Sequence, residues 1–145
     1  MITESTPISP YRLFFSHGGD DTYIVEEFLK PKVEDSGATV FLDAGRLEYG
    51  DDFRQLILAE LAQCDELLVL FTPSSLRRPW VLAEVGATLI RNRRVVAIMY
   101  GPTESDLQSL GVLSLIGNSS LLLQLEKFDE YVQQLRGRVE AHNNG

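Results

Sequence analysis

The sequence contains a single cysteine, Cys64, and therefore cannot form an internal disulfide bond. Small secreted domains commonly depend on several disulfides, so this chain is expected to fold in a reducing cytosol. It has no apolar run of about 18 residues, the length that crosses a membrane. Residues 1–10 also lack the apolar centre of a signal peptide. We predict a cytoplasmic protein without a membrane partner.

Basic residues are outnumbered by acidic ones. The chain has 13 Lys and Arg against 21 Asp and Glu, which gives a formal net charge of -8. Binding to a phosphate backbone needs a dense cationic surface, so no direct binding of nucleic acid is expected. Two histidines and one cysteine are too few for a Cys/His metal site, and no metal is predicted. Cys64 ends an apolar helix and is predicted to fill the core.

Short apolar runs alternate along the chain with amphipathic stretches. The length of 145 residues, 44% of them apolar, is typical of one globular domain. Continuous apolar runs of four to six residues are typical of strands buried on both faces, and their alternation with helices predicts a parallel sheet covered on both sides. The predicted strands are 11–16, 39–42, 66–71, 95–100 and 121–125, and the predicted helices are roughly 21–35, 51–64, 79–92, 103–110 and 126–141. The predicted organisation is a disordered tail over 1–10, a domain over 11–141, and a tail or linker start over 142–145.

Local signals predict how the first helix begins and ends. Asp20 or Asp21 is expected to cap its first turn, where a carboxylate also suits the positive end of the helix dipole. Pro31 is expected to kink the helix or end it early. Gly37 is expected to end the helix.

Ligands of an open parallel sheet bind beyond the carboxyl ends of its strands. After the first strand, residues 16–21 are small and flexible and could let a ligand approach backbone N–H groups, although a plain tight turn is the ordinary explanation of these residues on their own. They match neither the GxGxxG fingerprint nor a Walker A loop. A phospho-accepting receiver domain is excluded because the third predicted strand is followed by Thr72 and Pro73 instead of an acceptor aspartate.

Trp80 and Glu84 are four residues apart and share one face of the third predicted helix. A carboxylate beside a large aromatic suits a sugar or a cationic ring, and we expect the pair near the rim of the sheet. A solvent-facing glutamate and a core tryptophan are the ordinary alternatives. Residues 77–94 contain five Arg and one acid, a local charge of +4, which could bind phosphate groups or could simply charge the ends of a soluble helix.

Four blocks in this order resemble the Toll/interleukin-1 receptor (TIR) domain, in its bacterial form. The segment 12–17 (RLFFSH) resembles the first-strand box of the family, and 40–43, followed by Leu47, Gly50 and Asp51, resembles the second strand and its loop. The segment 68–74 resembles the third strand, and Trp80 with Glu84 resembles the W-x-x-x-E motif. The match covers about 11–100. It implies a flavodoxin-like three-layer sandwich with a central five-stranded parallel sheet.

The resemblance also implies a reaction, because many TIR domains cleave NAD+ between nicotinamide and ribose. It places the catalytic glutamate on Glu84, with NAD+ as the substrate and no cofactor. Nicotinamide is a cationic pyridinium that leaves as a neutral molecule, so one anion beside the ribose can suffice where ordinary glycosidases use two carboxylates. The substrate-binding residues implied are Phe15, Ser16, His17, Gly18, Asp43, Leu47 and Trp80. The lid loop implied consists of Ala44, Gly45, Arg46, Glu48, Tyr49 and Gly50.

Two other functions stay open at this point. The chain could be a non-catalytic adaptor acting through contacts with other TIR domains, or a sensor that binds a nucleotide without cleaving it. For the enzyme, the family implies products of nicotinamide with ADP-ribose or a cyclic isomer. It also implies assembly into an oligomer or filament, a fused or associated sensor domain, and a role in antiphage immune signalling.

Overall fold

The computed structural model of the chain describes residues 9–42, 53–109 and 122–145. Five parallel strands form one sheet in the order β2-β1-β3-β4-β5. The strands are β1 (Arg12–Ser16), β2 (Thr39–Leu42), β3 (Glu66–Phe71), β4 (Arg94–Met99) and β5 (Leu122–Gln124). The predicted five-stranded α/β fold is therefore confirmed, and β1 lies inside the sheet between β2 and β3.

Helices cover both faces of this sheet. We name them α1 (22–35), α2 (Phe53–Gln63), α3 (Pro79–Ile90), α4 (Glu104–Ser109) and α5 (Phe128–Asn144). One core cluster joins α1 and α5 to the sheet through side chains such as Val25, Leu29, Leu135 and Val139. The other joins α2, α3 and α4 to the opposite face through Ile57, Val81, Val85 and Leu107. The chain thus forms the predicted three layers.

The first helix continues past its proline. It consists of an α turn (Thr22–Ile24), a π-helical segment (Val25–Leu29) and an α segment (Lys30–Asp35) that begins just before Pro31. Proline lacks an N–H and crowds the carbonyl four residues back. The Lys30 N–H bonds to Val25 O, five residues back, so the helix widens immediately before the proline. Of the two effects expected of Pro31, an early end of the helix is wrong, and the distortion that the structure shows is the π-helical segment before it. The stop at Gly37 (φ 100°) is confirmed.

Cys64 lies in the core as predicted. Its side chain is buried between the sheet and the helices α2 and α3, and its thiol donates to Leu61 O at 3.4 Å. Burial raises the pKa of this thiol to about 11. A thiol held protonated in this way acts as a small apolar side chain.

A buried carboxylate that the sequence analysis did not identify lies at the amino-terminal end of β3. Glu66 is fully buried and accepts hydrogen bonds from the hydroxyls of Tyr11 and Tyr131, at 2.6 and 2.5 Å. Arg138 adds a two-point contact, with Nε and Nη2 each 2.9 Å from a Glu66 oxygen. We call these four residues the Glu66 cluster. It fastens α5 to β1 and β3, and burial beside Glu66 raises the pKa of both tyrosines.

The C-terminal helix runs to Asn144, three residues beyond its predicted end. His142 in this last turn is partly buried, with its ring edge against Tyr11 at a centroid distance of 5.5 Å and its Nε2 2.8 Å from Ser9 O. These contacts favour the extra helical turn. Within the described parts of the chain, no helix has both the length and the apolar character needed to cross a bilayer.

Candidate active site

A buried carboxylate and a serine hydroxyl meet where β1 ends. Ser16 is the last residue of β1, and its Oγ donates to Glu84 Oε1 at 2.7 Å. Neither side chain is accessible to solvent: Ser16 is 0% and Glu84 is 1% exposed. The ordinary alternative for Glu84, a charge facing bulk water, is therefore ruled out.

The local sequence explains why a glutamate is buried here. Pro79 occupies the first turn of α3, where its missing N–H is not needed. The residues that α3 buries follow the i, i+3, i+4, i+7 pattern of one helix face: Val81, Glu84, Val85 and Thr88. Glu84 thus occupies a core position on the side of α3 that faces the sheet, deeper than the rim position expected. The Thr88 hydroxyl donates to Glu84 O at 2.8 Å.

Trp80 lies one turn before Glu84 on α3. Its side chain is partly buried and packs against the core cluster shared by α2, α3 and α4. The predicted aromatic–carboxylate pair is thus present on one helix, with the indole at the edge of the core and the carboxylate inside it.

The strand alternation separates two further predicted residues from Glu84. Side chains alternate between sheet faces, so Phe15 and His17 lie on the side opposite Ser16. Phe15 is fully buried in the core between the sheet, α1 and α5, and its ring centroid is 6.4 Å from that of His17. Among the described residues of the predicted substrate-binding set, Ser16 is the one whose side chain hydrogen-bonds to Glu84.

His17 is itself buried, with 6% of its surface exposed. Its Nδ1 lies 2.8 Å from Gly18 O, and a carbonyl can only accept, so we assign the proton to Nδ1. The other ring nitrogen, Nε2, is buried and has no hydrogen-bond partner among the described residues. A neutral His17 would therefore present a buried acceptor just beyond the carboxyl end of β1.

Gly18 permits two loops to touch. A Cβ at this position would lie 3.0 Å from the Cβ of Ser75, so the neighbouring loop would have to shift to make room. Ser75 is buried in the turn after β3, where its hydroxyl donates to Leu70 O at 2.8 Å. The glycine is explained by this close packing.

The two aspartates of the first turn do not cap the helix, contrary to expectation. Neither makes a side-chain cap hydrogen bond. Instead Asp21 Oδ2 accepts from the Thr72 hydroxyl and Asp20 Oδ2 from the Ser74 hydroxyl, both at 2.8 Å. These two bonds fasten the loop after β1 to the loop after β3. In the sequence, the hydroxyl residues that follow β3, Thr72, Ser74 and Ser75, are the feature from which such a contact could have been predicted.

A protein-family profile described as TIR domain matches residues 13–136, most of the chain. The chain belongs to the TIR domain family. The TIR domain described here is 27% identical over 100 residues to a protein of Brachypodium distachyon named probable 2' cyclic ADP-D-ribose synthase BdTIR. That match covers 68% of the chain and 45% of the relative, so the chain spans less than half of the relative's length.

Solved structures share the fold at low sequence identity. The TIR domain of the Toll-related receptor TRR-2 from Hydra magnipapillata has a TM-score of 0.60 at 17% identity, over 87% of this chain and 91% of that one. The TIR domains of the activated Roq1 resistosome give 0.56 at 17%, over 92% and 84%. The CMP N-glycosidase BcmB of Clostridium botulinum gives 0.56 at 16%, over 86% and 97%. At these identities the likeness concerns the fold alone.

Part of the predicted site of this TIR domain lies outside the described residues. This applies to the substrate-binding predictions Asp43 and Leu47 and to the whole predicted lid loop, 44–50. Their assignment stays a prediction. Within the described ranges, no group of three or more His, Cys, Asp or Glu side chains is arranged to hold a metal ion.

The arginines of the TIR domain do not form one patch, contrary to the interpretation of the +4 segment as a single feature. Arg77 and Arg78 precede α3, whereas Arg91, Arg93 and Arg94 follow its other end. Twelve helical residues rise about 18 Å, which separates the two groups. Only the first pair lies at the same end of α3 as Trp80, and Arg78 there forms an exposed ion pair with Asp20 at 3.6 Å.

Proposed function

We propose that this TIR domain cleaves the bond between nicotinamide and ribose in NAD+, with Glu84 as the catalytic carboxylate. The observation that carries the proposal is the position of Glu84: it is 1% exposed, on the sheet-facing side of α3, and held by Ser16 where β1 ends. This is the edge of a parallel sheet at which ligands bind.

The burial of Glu84 supports a chemical role. Removing a carboxylate from water costs several kcal/mol unless hydrogen bonds stabilise the anion. Its neighbours on α3 include the apolar Val81 and Val85, which alone would favour an apolar residue at this position. Retaining a charge at this cost is understandable if the anion acts on a substrate.

The proposed chemistry uses the carboxylate as an anion. The bond between ribose C1′ and the pyridinium nitrogen breaks, and its electron pair returns to the nitrogen, so nicotinamide leaves neutral without a general acid. Positive charge develops on the ribose, and Glu84 stabilises it at short range in a site shielded from water. Water then adds to C1′ and releases one proton, giving ADP-ribose. If a hydroxyl of the same molecule adds instead, a cyclic isomer forms, and the name of the Brachypodium relative supports considering this product.

The proposal assigns supporting roles to the remaining predicted residues. Trp80 packs beside the ribose of the nicotinamide end, and His17 and Gly18 line the site just beyond the end of β1. Asp43, Leu47 and the lid loop close the site, and we propose that a second TIR domain contributes to this closure. We also propose that the reaction serves cytoplasmic antiphage immune signalling, with a fused or associated sensor domain as the trigger.

The test measures nicotinamide and the second product by chromatography after incubating concentrated protein with NAD+, with and without a crowding agent. We expect release by the wild type, increased by crowding, and its loss in Glu84→Gln. The control is Glu140→Gln, an exposed glutamate on α5 that should leave the rate unchanged. Release that survives Glu84→Gln would remove Glu84 from the role proposed.

A non-catalytic adaptor is the second candidate, and one observation favours it. Tyr23 and Phe28 are 71% and 54% exposed and contact each other edge to face, at a centroid distance of 5.8 Å. They border an apolar groove between α1 and the start of α5 that could receive another TIR domain. Concentration-dependent assembly that Phe28→Asp abolishes, without nicotinamide release under any condition, would favour the adaptor.

A further inference from the structure

We propose that Ser16 is a positioning residue that acts through Glu84 and makes no contact with the substrate. This inference rests on the proposed function and changes the role predicted for Ser16 from its sequence position. A serine hydroxyl has one proton to donate, and the Ser16 hydroxyl gives it to Glu84 Oε1 at 2.7 Å. Because the single proton of this buried hydroxyl is already bonded to Glu84, it is not available to a ligand.

The sheet makes Ser16 a rigid donor. Phe15 is paired with Leu42 of β2 and Leu68 of β3, and Ser16 with Val69 of β3. The loop that follows is fastened in turn, because Asp21 accepts from the Thr72 hydroxyl. The hydroxyl is thus presented to α3 from a strand held on both sides, with little freedom to move.

This rigidity fixes the carboxylate. A glutamate side chain has three rotatable bonds, and its terminal torsion is broad when nothing holds it. With Oε1 held by the strand, that torsion is set, and so is the position of the second oxygen relative to a bound ribose. The same hydrogen bond stabilises the charged form that the proposed reaction needs. Ser16 therefore contributes to the rate by orienting an anion, and substrate affinity does not depend on it.

The alternative is that Ser16 binds a ribose hydroxyl, and kinetics separate the two roles. We expect Ser16→Ala to lower kcat for nicotinamide release about 10- to 100-fold, the range for losing a hydrogen bond to a charged group or misplacing a reacting group. The KM for NAD+ should stay within about twofold of the wild-type value, because the contacts that hold the substrate equally in the ground state and the transition state are unchanged. Ser16→Thr, which keeps the hydroxyl, should recover most of kcat. A KM that rises while kcat is retained would overturn the inference.

A matched variant and a double variant test whether the role of Ser16 is merely structural. Ser36 is also buried, and its hydroxyl donates to a backbone carbonyl, Val33 O, far from Glu84 in the fold. Ser36→Ala should cost similar stability and leave kcat unchanged.

The double variant tests whether Ser16 acts through Glu84. In a Glu84→Gln background, adding Ser16→Ala should lower the residual kcat no further, since the effects of residues that act as a unit are not additive. A further loss of tenfold in the double variant would contradict action through Glu84.

Two further results keep the outcomes distinct. If the extra methyl group of Ser16→Thr prevents folding, Ser16→Cys replaces it in the test. Its thiol is a weaker donor, so its kcat should lie between those of the wild type and Ser16→Ala. A kcat below that of Ser16→Ala would count against the inference. Failure of the proposed function would show as no release by the wild type, and it would overturn this inference with it. Glu84-dependent release by the wild type together with a kcat unaffected by Ser16→Ala overturns the inference alone.

Discussion

Replacing Arg138 by methionine is predicted to destabilise the domain through the Glu66 cluster. Glu66 is 0% exposed, and Arg138 supplies its positive charge through two contacts of 2.9 Å. Removing one partner of a buried ion pair leaves the other charge buried without a counter-charge, which lowers the free energy of unfolding by about 3–5 kcal/mol. The Arg138 side chain is 23% exposed, so we take the lower end of that range, about 3 kcal/mol.

This loss should be plain in a thermal unfolding experiment. For a domain of this size about 3 kcal/mol lowers the melting temperature by roughly 6–12 °C. The matched control is Arg136→Met, an exposed arginine on the same helix, which should change stability by less than about 0.5 kcal/mol. Combining Glu66→Gln with Arg138→Met should recover about half of the loss, because the stranded charge is gone and the amide still serves the tyrosines. Equal melting temperatures for Arg138→Met and Arg136→Met would refute the reasoning.

Three other substitutions test the fold. Cys64 has an ordinary thiol pKa of 9.0 when unfolded and about 11 when folded. The stability this shift provides is complete below pH 9 and is lost as the pH rises to 11, about 2–3 kcal/mol in all. In denaturant titrations the advantage of the wild type over Cys64→Ala should shrink by that amount, whereas a pH-independent difference would contradict it. Gly37→Ala should cost about 1–2 kcal/mol, because φ is 100° and the new Cβ would lie 3.0 Å from a Val139 methyl. Gly137→Ala, in an open helical position, should instead stabilise by about 0.5–1 kcal/mol, and calorimetry showing the same sign for both would argue against this account.

Strands were predicted from the sequence more closely than the side-chain contacts that hold them. A strand buried on both faces needs a continuous apolar run, so β2 and β3 begin and end at the predicted residues. The Glu66 cluster could not be predicted in the same way. Its tyrosines and arginine are 55, 65 and 72 residues from Glu66. Tyr11 reaches Glu66 because β1 pairs with β3, and Tyr131 and Arg138 reach it because α5 docks on the sheet.

In the candidate site, too, local spacing could be predicted from the sequence and the long-range side-chain contacts could not. The W-x-x-x-E spacing placed Trp80 and Glu84 on one helix face, but the burial of Glu84 depends on the strand that α3 faces. Asp21 satisfies the local rule for a helix cap, yet its carboxylate bonds to Thr72, 51 residues away, because the two loops meet at the carboxyl edge of the sheet. A rule that considers only neighbouring residues cannot identify a partner so distant in the sequence.

The rate of nicotinamide release by Glu84→Gln tests the central claim most directly. This substitution keeps the size of the side chain and an acceptor for the Ser16 hydroxyl, and it removes only the negative charge. Loss of one preorganised electrostatic group typically costs about 10²- to 10³-fold in rate. We predict a loss of that size for Glu84→Gln without a fall in the melting temperature, because no buried charge is left uncompensated, and no loss of rate for Glu140→Gln. A Glu84→Gln protein that releases nicotinamide at the wild-type rate would contradict the account.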